Sequence, residues 1–334
     1  MMETWNDHLT NLAVVNQAGM SSSVSVDPLY RVAVAGGTHG NEMSGVYLVK
    51  HWLKDPSELV RDTFSAVPVL SNPKASEIGV RYYEKDLNRC FTTDFLSSSE
   101  SPGELYEESR AREINRLFGP KGSGDTYDMI LDLHNTTSNM GVCLIVSGLQ
   151  NHLDMHTCHY IQTQMPECNP RVFVYTKPGA DPYDVSSVAK SGLGFELGPQ
   201  PQGVVRADVL QNMKKVVEIT LDFVNQLNKG IKFPAFELDV YRNAGHVDFP
   251  RSSDGEISAV IHPSLQDQDF SLLHPGDPIF LTLDGQTIPY SGEEPIYPVF
   301  INEAAYYEKK TAFIVTEKIH ISVPALKAHT EQKK

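Results

Sequence analysis

The order of strand-like and helix-like segments is the feature that most constrains the fold of this chain. Over the first two-thirds of its 334 residues, short apolar runs such as 129–133 alternate with segments such as 207–228, where apolar residues recur at helical spacing. This alternation predicts an α/β fold with a mostly parallel sheet covered on both faces. Beyond residue 231 the pattern changes to alternating strands with tight turns, such as a two-residue hairpin turn at Asp284-Gly285. A smaller β-rich domain should therefore follow.

The limits of these parts can be predicted from the same patterns. Gly230 is a natural stop for the helix-like segment 207–228 and marks a domain boundary. The acidic and polar N-terminus lacks the basic-then-apolar order of a signal peptide. The predicted segments are a disordered leader at 1–28, an α/β domain at 29–230, a β-rich domain at 231–325 and a tail at 326–334.

Composition excludes several function classes. The formal net charge of -14 argues against nucleic-acid binding, because counterion release needs clustered lysines and arginines. No apolar run approaches the roughly 20 residues needed to span a bilayer, so an integral membrane protein is not expected. The cysteines form no C-x-x-C pair and are too sparse for a disulfide framework, which suits a reducing cytosol.

A candidate metal site follows two of the predicted strands. His39 and Glu42 lie three residues apart in a glycine-rich turn after the strand-like run 31–35, and His134 comes just past the run 129–133. A turn histidine is more often a surface residue, but open α/β sheets bind ligands outside the carboxyl ends of their strands. Two imidazoles and one carboxylate leave a fourth position open for water, as in catalytic zinc sites.

Two further carboxylates have alternative interpretations. Asp132, two residues before His134 on the same side of its strand, either orients that imidazole or is an ordinary strand-end aspartate. Glu196 lies in an apolar strand-like run and is either solvated or partly desolvated. Desolvation would raise its pKa and suit a proton shuttle. A bound metal favours the second alternative, because metal-assisted hydrolysis needs a base for the water.

A loop-like region offers candidate substrate contacts. The guanidinium fork of Arg89 can bind a carboxylate through two hydrogen bonds, and Asn88 adds a donor beside it. Arg81 lies in the same region, although most loop arginines face water. Tyr306, in a dense cluster of tyrosines and charges, either caps a pocket or belongs to the surface.

Other patterns in the sequence do not predict a functional site. His152, His156, His159 and Cys158 lie at helical spacing without an acidic partner, which predicts a solvated helix face and no metal site. The chain contains no G-x-S-x-G elbow, Walker loop, G-x-G-x-x-G or H-E-x-x-H motif. Nucleotide binding and serine hydrolysis are therefore disfavoured.

Five motifs, in order, resemble the aspartoacylase family over about residues 31–325. They occupy residues 36–42 (Gly-Gly-Thr-His-Gly-Asn-Glu), 86–89 (Asp-Leu-Asn-Arg), 132–137 (Asp-Leu-His-Asn-Thr-Thr), 196–203 (Glu-Leu-Gly-Pro-Gln-Pro-Gln-Gly) and 302–309 (Asn-Glu-Ala-Ala-Tyr-Tyr-Glu-Lys). The resemblance implies a zinc amidohydrolase acting on linear amides, with a carboxypeptidase-like three-layer α/β/α domain and a C-terminal β-rich domain.

The resemblance also assigns roles to residues. It implies one Zn²⁺ per subunit on His39, Glu42 and His134, with Glu196 as the catalytic carboxylate. It further implies that Arg81 acts in catalysis and that substrate contacts come from Arg81, Asn88, Arg89, Glu196 and Tyr306. The substrate would be a small N-acyl amino acid. The protein would be a cytoplasmic homo-oligomer, with a peripheral position at the apical plasma membrane as a further expectation.

One position departs from the pattern of aspartoacylase proper. That enzyme has an arginine ten residues before its catalytic glutamate, where it receives the aspartate side chain, whereas this chain has Ser186. A charge-assisted hydrogen bond contributes roughly 1.5–3 kcal/mol, about a ten- to hundredfold preference that would be missing here. Ser186 should therefore shift specificity from acidic towards apolar or aromatic side chains. The segment resembles a sister branch of the family, associated with N-acetylated aromatic amino acids and S-conjugates of N-acetylcysteine (mercapturic acids).

Two alternatives remain open at this point. The chain could deacylate N-acetylaspartate and use Lys190 or Lys309 as the cation for the acidic side chain. It could also be a catalytically idle zinc-binding interaction protein, although every position expected to carry chemistry is intact.

Overall fold

A computed structural model describes residues 23–175 and 180–329 of the chain. The strands are β1 (Val24–Val26), β2 (Val32–Gly36), β3 (Val67–Leu70), β4 (Met129–Asn135), β5 (Gly141–Val146), β6 (Arg171–Val174), β7 (Ser191–Gly198), β8 (Phe236–Val247), β9 (Ala259–Ile261), β10 (Pro278–Thr282), β11 (Thr287–Pro289), β12 (Tyr297–Val299), β13 (Phe313–Val323) and β14 (Leu326–Ala328). The α-helices are α1 (Met43–Trp52), α2 (Pro73–Ile78), α3 (Thr93–Ser97), α4 (Tyr106–Phe118), α5 (His152–Gln164) and α6 (Ala207–Asn228). Short 3₁₀ turns include Leu87–Arg89, Val185–Val188 and Ala304–Tyr306.

Nine of the described strands form one sheet, in the order β12-β13-β8-β6-β5-β7-β4-β2-β3. Strands β3, β2, β4 and β7 run parallel to one another, and β5 runs antiparallel to β7. The predicted mostly parallel sheet is therefore found in the first two-thirds of the chain. The carboxyl ends of β2, β4 and β7 lie side by side and present the motif residues at one edge.

Both faces of this sheet are buried, because side chains alternate along each strand. Val32 and Val34 of β2 pack into the core formed with α1, α5 and α6. Ala33 and Ala35 face the opposite core, which is formed with α4 and with the 3₁₀ turns Leu87–Arg89 and Val185–Val188. The sheet is thus the middle of three layers, as the α/β prediction requires.

Helix α6 has the bounds that its apolar stripe predicts. Val216, Leu221 and Leu227 are among its fully buried residues. Burial of such a side chain contributes roughly 1.5–3 kcal/mol, so the stripe fixes the helix to the sheet. Gly230 follows the helix with a φ of +84°, a backbone conformation that residues other than glycine rarely adopt.

The C-terminal part continues the sheet and adds a separate core. Strands β8 and β13 pair antiparallel along most of their length, and β8 also pairs with β6. The main sheet therefore runs across residue 230, and the division there stays a prediction. Strands β9, β10 and β11 form a second, three-stranded sheet among the described residues. Its core includes Phe249, Phe280 and Phe313.

The chain ends and one turn differ from the predictions within the described residues. The expected leader contains β1, which pairs parallel with β14 in the expected tail. Val24 and Val26 pack against the main core, and this burial holds the strand in place. Residues 1–22 and 330–334 of the predicted leader and tail lie outside the described residues. The connection at Asp284-Gly285 spans four residues, 283–286, and Gly285 takes a φ of +88°.

The predicted solvated face of α5 was also wrong. His156 is 2% exposed and donates from Nε2 to the carbonyl oxygen of Pro324 at 2.8 Å. The ring of His159 stacks on Phe236, with centroids 3.9 Å apart. The helix is covered by the C-terminal strands, which a local spacing pattern does not reveal. None of the helices in residues 23–175 and 180–329 has the length and apolarity that a membrane span requires.

Candidate active site

The three predicted metal ligands converge at the carboxyl edge of the sheet. His39 follows β2, Glu42 immediately precedes α1 and His134 lies near the end of β4. All three are buried, and one ligand atom from each lies within 4.8 Å of the others. The Nδ1 atoms of His39 and His134 lie 2.6 and 2.8 Å from the two carboxylate oxygens of Glu42. The two imidazoles thus face a common point through Nδ1.

The glycines of the first motif allow the turn that carries His39. A Cβ atom on Gly40 would lie 2.1 Å from the backbone carbon of Ala75, so another residue would force the two segments apart. Gly37 has a φ of +68°, which is strained for a residue with a side chain. The Gly40 amide also donates to the carbonyl oxygen of Arg81 at 3.2 Å. This turn is therefore fixed from both sides.

Each ligand imidazole is backed by a carboxylate. Asp132 lies 2.7 Å from Nε2 of His134 and also accepts a hydrogen bond from the Thr38 hydroxyl at 2.6 Å. Asp86 lies 3.0 Å from Nε2 of His39. Such carboxylates fix the ring orientation and tautomer of a metal-binding histidine. The geometry supports the alternative in which Asp132 orients the His134 imidazole. The same role was not predicted for Asp86.

The charges in this cluster shift the pKa of its members. Burial alone would raise the pKa of Glu42, but the neighbouring imidazoles of His39 and His134 hold it well below its usual range. Burial would lower the pKa of His134, but the carboxylates of Asp132 and Glu42 raise it well above its ordinary value. Anionic groups thus surround the point on which the imidazoles converge, as a cation site requires.

Glu196 lies beside this cluster, because β7 pairs with β4 in a register that sets Glu196 opposite His134. It lines the same cavity as His39 and His134. Burial, and next the charge of Glu42, raise the pKa of Glu196 well above its usual range. The partly desolvated alternative is therefore the one that the structure supports. A carboxylate in this state holds a proton more readily than an exposed one and is suited to proton transfer.

Arg81 is directed at the metal cluster. Its guanidinium donates to Glu42 at 3.1 Å and to Asp86 at 3.3 Å. Its Nε atom is buried and has no hydrogen-bond partner among the described residues. The carboxylates raise its pKa against the effect of burial, so the side chain is charged. Arg81 therefore holds a free donor beside the candidate metal ligands.

The loop that carries Arg81 and Asp86 is fixed by a buried carboxylate that the sequence did not reveal. Glu107 of α4 is fully buried and accepts backbone hydrogen bonds from Tyr83 at 2.6 Å and from Glu84 and Lys85 at 3.1 Å. Asn72 also donates to it, at 3.1 Å. The separation of these residues along the chain explains why no local motif indicated this contact.

The predicted substrate contacts Asn88 and Arg89 have different surroundings. The side-chain nitrogen of Asn88 lies 3.4 Å from the Asp132 carboxylate and 3.2 Å from Nε2 of His134. Asn88 thus contacts the residues that orient the metal ligand. The guanidinium of Arg89 lies 4.7 Å from the ring centroid of Tyr183. Among the described residues, no carboxylate lies within ion-pair distance of Arg89. Its Nη1 atom donates to the carbonyl oxygen of Asn88 at 2.7 Å, so among the described residues its remaining N–H groups are available to an anionic ligand.

Tyr306 lines the cavity from the C-terminal part, and Lys309 lies beside Asp86. The Tyr306 ring lies 5.3 Å from the ring of Phe300, and burial raises the pKa of its hydroxyl. The Lys309 amine lies 3.5 Å from Asp86, and burial lowers its pKa to about 8, with the charges of Arg89 and Arg81 acting in the same direction. Lys190, the other cation considered for an acidic substrate, is exposed and pairs with Asp128.

The cavity has a volume of about 160 Å³ and joins the metal cluster to an aromatic wall. Ser186 and Asp184 also line it, beside residues that offer mainly apolar and aromatic surface. These residues are Ile145, Phe173, Tyr175, Tyr183, Phe300 and Ile314. The site can therefore accommodate a small molecule whose polar end faces the metal cluster.

Known protein-family models match both parts of the chain. The family model of the succinylglutamate desuccinylase/aspartoacylase catalytic domain matches residues 28–224. The chain belongs to this family. The AstE/AspA barrel-sandwich hybrid domain of the same family matches residues 236–318. The family and the α/β fold with a β-rich C-terminal part, which the motifs and patterns predicted, are confirmed.

Individual family members are similar over nearly the whole chain. The N-acyl-aromatic-L-amino acid amidohydrolase (carboxylate-forming) of Homo sapiens is 54% identical, over 93% of this chain and 97% of that protein. The aspartoacylase of Mus musculus is 47% identical, over 92% and 99% respectively. The crystal structure of murine aminoacylase 3 superposes with a TM-score of 0.88 at 53% identity, covering 90% of this chain and 99% of that chain.

Proposed function

We propose that this chain is a zinc-dependent amidohydrolase that deacylates N-acetyl amino acids. It prefers aromatic amino acids and S-conjugates of N-acetylcysteine (mercapturic acids), and it releases acetate and the free amino acid. The observation that carries this proposal is the cavity that joins His39, His134 and Glu196 to an aromatic wall, with Glu42 completing the metal cluster beside it. The 54% identity to the human N-acyl-aromatic-L-amino acid amidohydrolase supports the substrate class.

The residues present suit a zinc ion. Two imidazole nitrogens and one carboxylate are zinc ligands of the kind found in catalytic sites, and both imidazoles are oriented by a second carboxylate. His39, Glu42 and His134 would hold one Zn²⁺ per subunit. When bound, zinc supplies a Lewis acid that polarises the acyl carbonyl and favours deprotonation of water.

Glu196 moves the proton in the proposed reaction. Its raised pKa allows the carboxylate to accept a proton from the attacking water as the new C–O bond forms. The same carboxyl group then donates this proton to the amide nitrogen as the C–N bond breaks. The second proton of the water also ends on the amine, so the products are a carboxylate and an ammonium group, and no further reactant is needed.

Two arginines face the negative charges of the reaction, which are the developing oxyanion and the substrate α-carboxylate. The unpartnered Nε of Arg81 supports a role in stabilising the oxyanion that develops on the acyl oxygen. Arg89 lacks a carboxylate partner among the described residues, which supports binding of the substrate α-carboxylate by its fork. Asn88 contacts Asp132 and His134 and would orient the metal ligand as well as border the substrate. Tyr306 would close the cavity beside Glu196.

Deacylation of N-acetylaspartate is the second candidate. It is favoured by the 47% identity to murine aspartoacylase and by the position of Lys309 near Asp86. Two observations weaken it: Lys190 pairs with Asp128 and does not line the cavity, and Ser186 supplies no cation. The side-chain wall itself is mainly aromatic.

A comparison of substrates tests the proposal. We expect kcat/KM for N-acetyl-L-tyrosine and for S-benzyl-N-acetyl-L-cysteine to exceed that for N-acetyl-L-aspartate by about tenfold or more, the value of one charge-assisted hydrogen bond. The reverse order would favour the second candidate. Absence of turnover with all three, in protein shown to be loaded with zinc, would favour a catalytically idle protein.

Location and assembly are also proposals. The four cysteines, all among the described residues, are free, which supports a reducing compartment such as the cytoplasm. A homo-oligomer is expected from the family resemblance, and the molecular mass in solution would test it. The peripheral position at the apical plasma membrane stays a prediction.

A further inference from the structure

We propose that Asp184 sets the charge selectivity of the side-chain pocket by excluding substrates with an anionic side chain. This inference rests on the proposed function and concerns the same cavity. Ser186 explains only why an attractive cation is missing. Asp184 adds a like charge that an acidic side chain would have to approach.

Asp184 is held in place on the cavity wall. It lines the cavity together with Ser186 and Glu196. As N-cap of the turn Val185–Val188, it accepts a hydrogen bond from the Ser187 amide at 3.1 Å. The Ser186 hydroxyl donates to the same oxygen at 2.5 Å, and the Tyr175 hydroxyl donates to the other oxygen. Three donors on two oxygens prevent this carboxylate from turning away from an incoming side chain.

The groups that contact Asp184 among the described residues do not balance its charge. Its three donors are neutral groups, and no lysine or arginine of the described residues lies within ion-pair distance. Arg89, which lines the same cavity, lies over the ring of Tyr183 instead. In a partly buried site, two like charges a few ångströms apart disfavour binding by roughly ten- to hundredfold. The same carboxylate would favour a cationic side chain.

The position of Asp184 also changes what an arginine at 186 can do. The Ser186 hydroxyl already contacts the Asp184 carboxylate at 2.5 Å, so a longer cationic side chain from the same backbone position would pair with it. The guanidinium would then neutralise Asp184 and would not be free for the substrate. Two changes, at 184 and at 186, are therefore needed for efficient hydrolysis of an acidic substrate.

Substrates that differ mainly in side-chain charge provide the test. We would measure kcat/KM for N-acetyl-L-methionine, N-acetyl-L-glutamate and N-acetyl-L-ornithine with the zinc-loaded full chain. For Asp184→Asn we expect the glutamate-to-methionine ratio to rise about tenfold or more, and the ornithine-to-methionine ratio to fall. Asp184→Glu, which keeps the charge, should leave both ratios near those of the unchanged chain. Asp254→Asn removes a charge at an exposed loop position and serves as the matched control.

Combination with the neighbouring position sharpens the test. The double variant Asp184→Asn with Ser186→Arg should raise the glutamate-to-methionine ratio well above that of Ser186→Arg alone. The proposal would be overturned if Asp184→Asn left the ratios equal to those of Asp254→Asn. It would equally be overturned if Ser186→Arg alone gave the full effect of the double variant.

Folding and the underlying activity are controlled separately. Asparagine and serine are good N-cap residues, so Asp184→Asn and Asp184→Ser both keep an acceptor for the Ser187 amide. Should either fail to fold, the other carries the same charge change. Failure of the unchanged chain to hydrolyse N-acetyl-L-methionine would count against the proposed function. Normal hydrolysis with unmoved ratios would count against Asp184 alone.

Discussion

Nε2 of His39 lies 3.0 Å from the carboxylate of Asp86, while Nδ1 of the same ring lies 2.6 Å from Glu42. The ring is thus held between a carboxylate that orients it and a carboxylate that would share a metal ion with it. Asp86 also accepts from Arg81, so it couples the metal ligand to the residue proposed to stabilise the oxyanion.

We expect Asp86→Asn to weaken zinc binding by roughly ten- to hundredfold, because loss of an orienting carboxylate reduces the basicity and preorganisation of the ligand. Competition with a chromophoric chelator measures this directly. Asp222→Asn, which removes an exposed carboxylate paired with Arg61, is the control. Equal zinc affinity of the two variants would show that Asp86 does not support His39.

We expect Glu196→Gln to lower kcat by roughly 10²- to 10⁴-fold, the usual contribution of a general acid–base group. Zinc content and the thermal unfolding midpoint should stay close to those of the unchanged chain, because Glu196 has no role as a ligand in this structure. Glu317→Gln, on the surface of β13, is the matched control. Retention of most of the turnover would remove Glu196 from the proposed mechanism.

Glu107 should be essential to the loop that carries Arg81 and Asp86. A glutamine there would turn its NH₂ group towards backbone donors that now meet a carboxylate oxygen. We expect Glu107→Gln to lower the free energy of unfolding by roughly 1–3 kcal/mol, the cost of a buried donor left unpaired. Urea unfolding measures the loss, with the exposed Glu113→Gln on the same helix as control. Equal stability of the two variants would contradict this role.

Asp154 should make stability depend on pH independently of the active site. Burial raises its pKa from 3.8 to about 7, although Ser191 donates a hydrogen bond to it. The folded state therefore holds this proton more tightly than the unfolded chain, and stability falls as the pH rises through this range.

The matched variant Asp154→Asn stays neutral at every pH. We expect the unfolding free energy of the unchanged chain, relative to this variant, to fall by roughly 2–3 kcal/mol between about pH 5 and about pH 8. Asp125→Asn, at an exposed position, should show no such trend relative to the unchanged chain. A difference between Asp154→Asn and the unchanged chain that does not vary with pH would show that Asp154 does not titrate in this range, against the expectation.

The parts of the site that lie at strand ends could be predicted from the sequence. His39 and His134 each follow an apolar run, and the carboxyl ends of neighbouring parallel strands meet at one edge of a sheet. Helix 207–228 could be predicted because its apolar stripe is long and regular. These features depend on spacing within one segment and on one general rule of sheet topology.

Other features depend on contacts that no local pattern records. Asp86 reaches His39 from a loop that Glu107 fixes from a different helix. Asp184 lines the cavity because it caps the turn Val185–Val188. It lies two positions before Ser186, the residue at which the family pattern indicates a change of specificity. Burial of His156 on α5 results from the C-terminal strands that cover the helix, far away in sequence.

Removal and return of the metal ion is the most direct test of the central claim. We would dialyse the purified chain against a strong chelator, measure zinc content, and follow hydrolysis of N-acetyl-L-tyrosine before and after zinc is restored. We expect activity to fall in proportion to zinc content and to return at about one Zn²⁺ per subunit, as three protein ligands around one ion require. Full activity in protein that contains no metal would contradict the assignment of His39, Glu42 and His134.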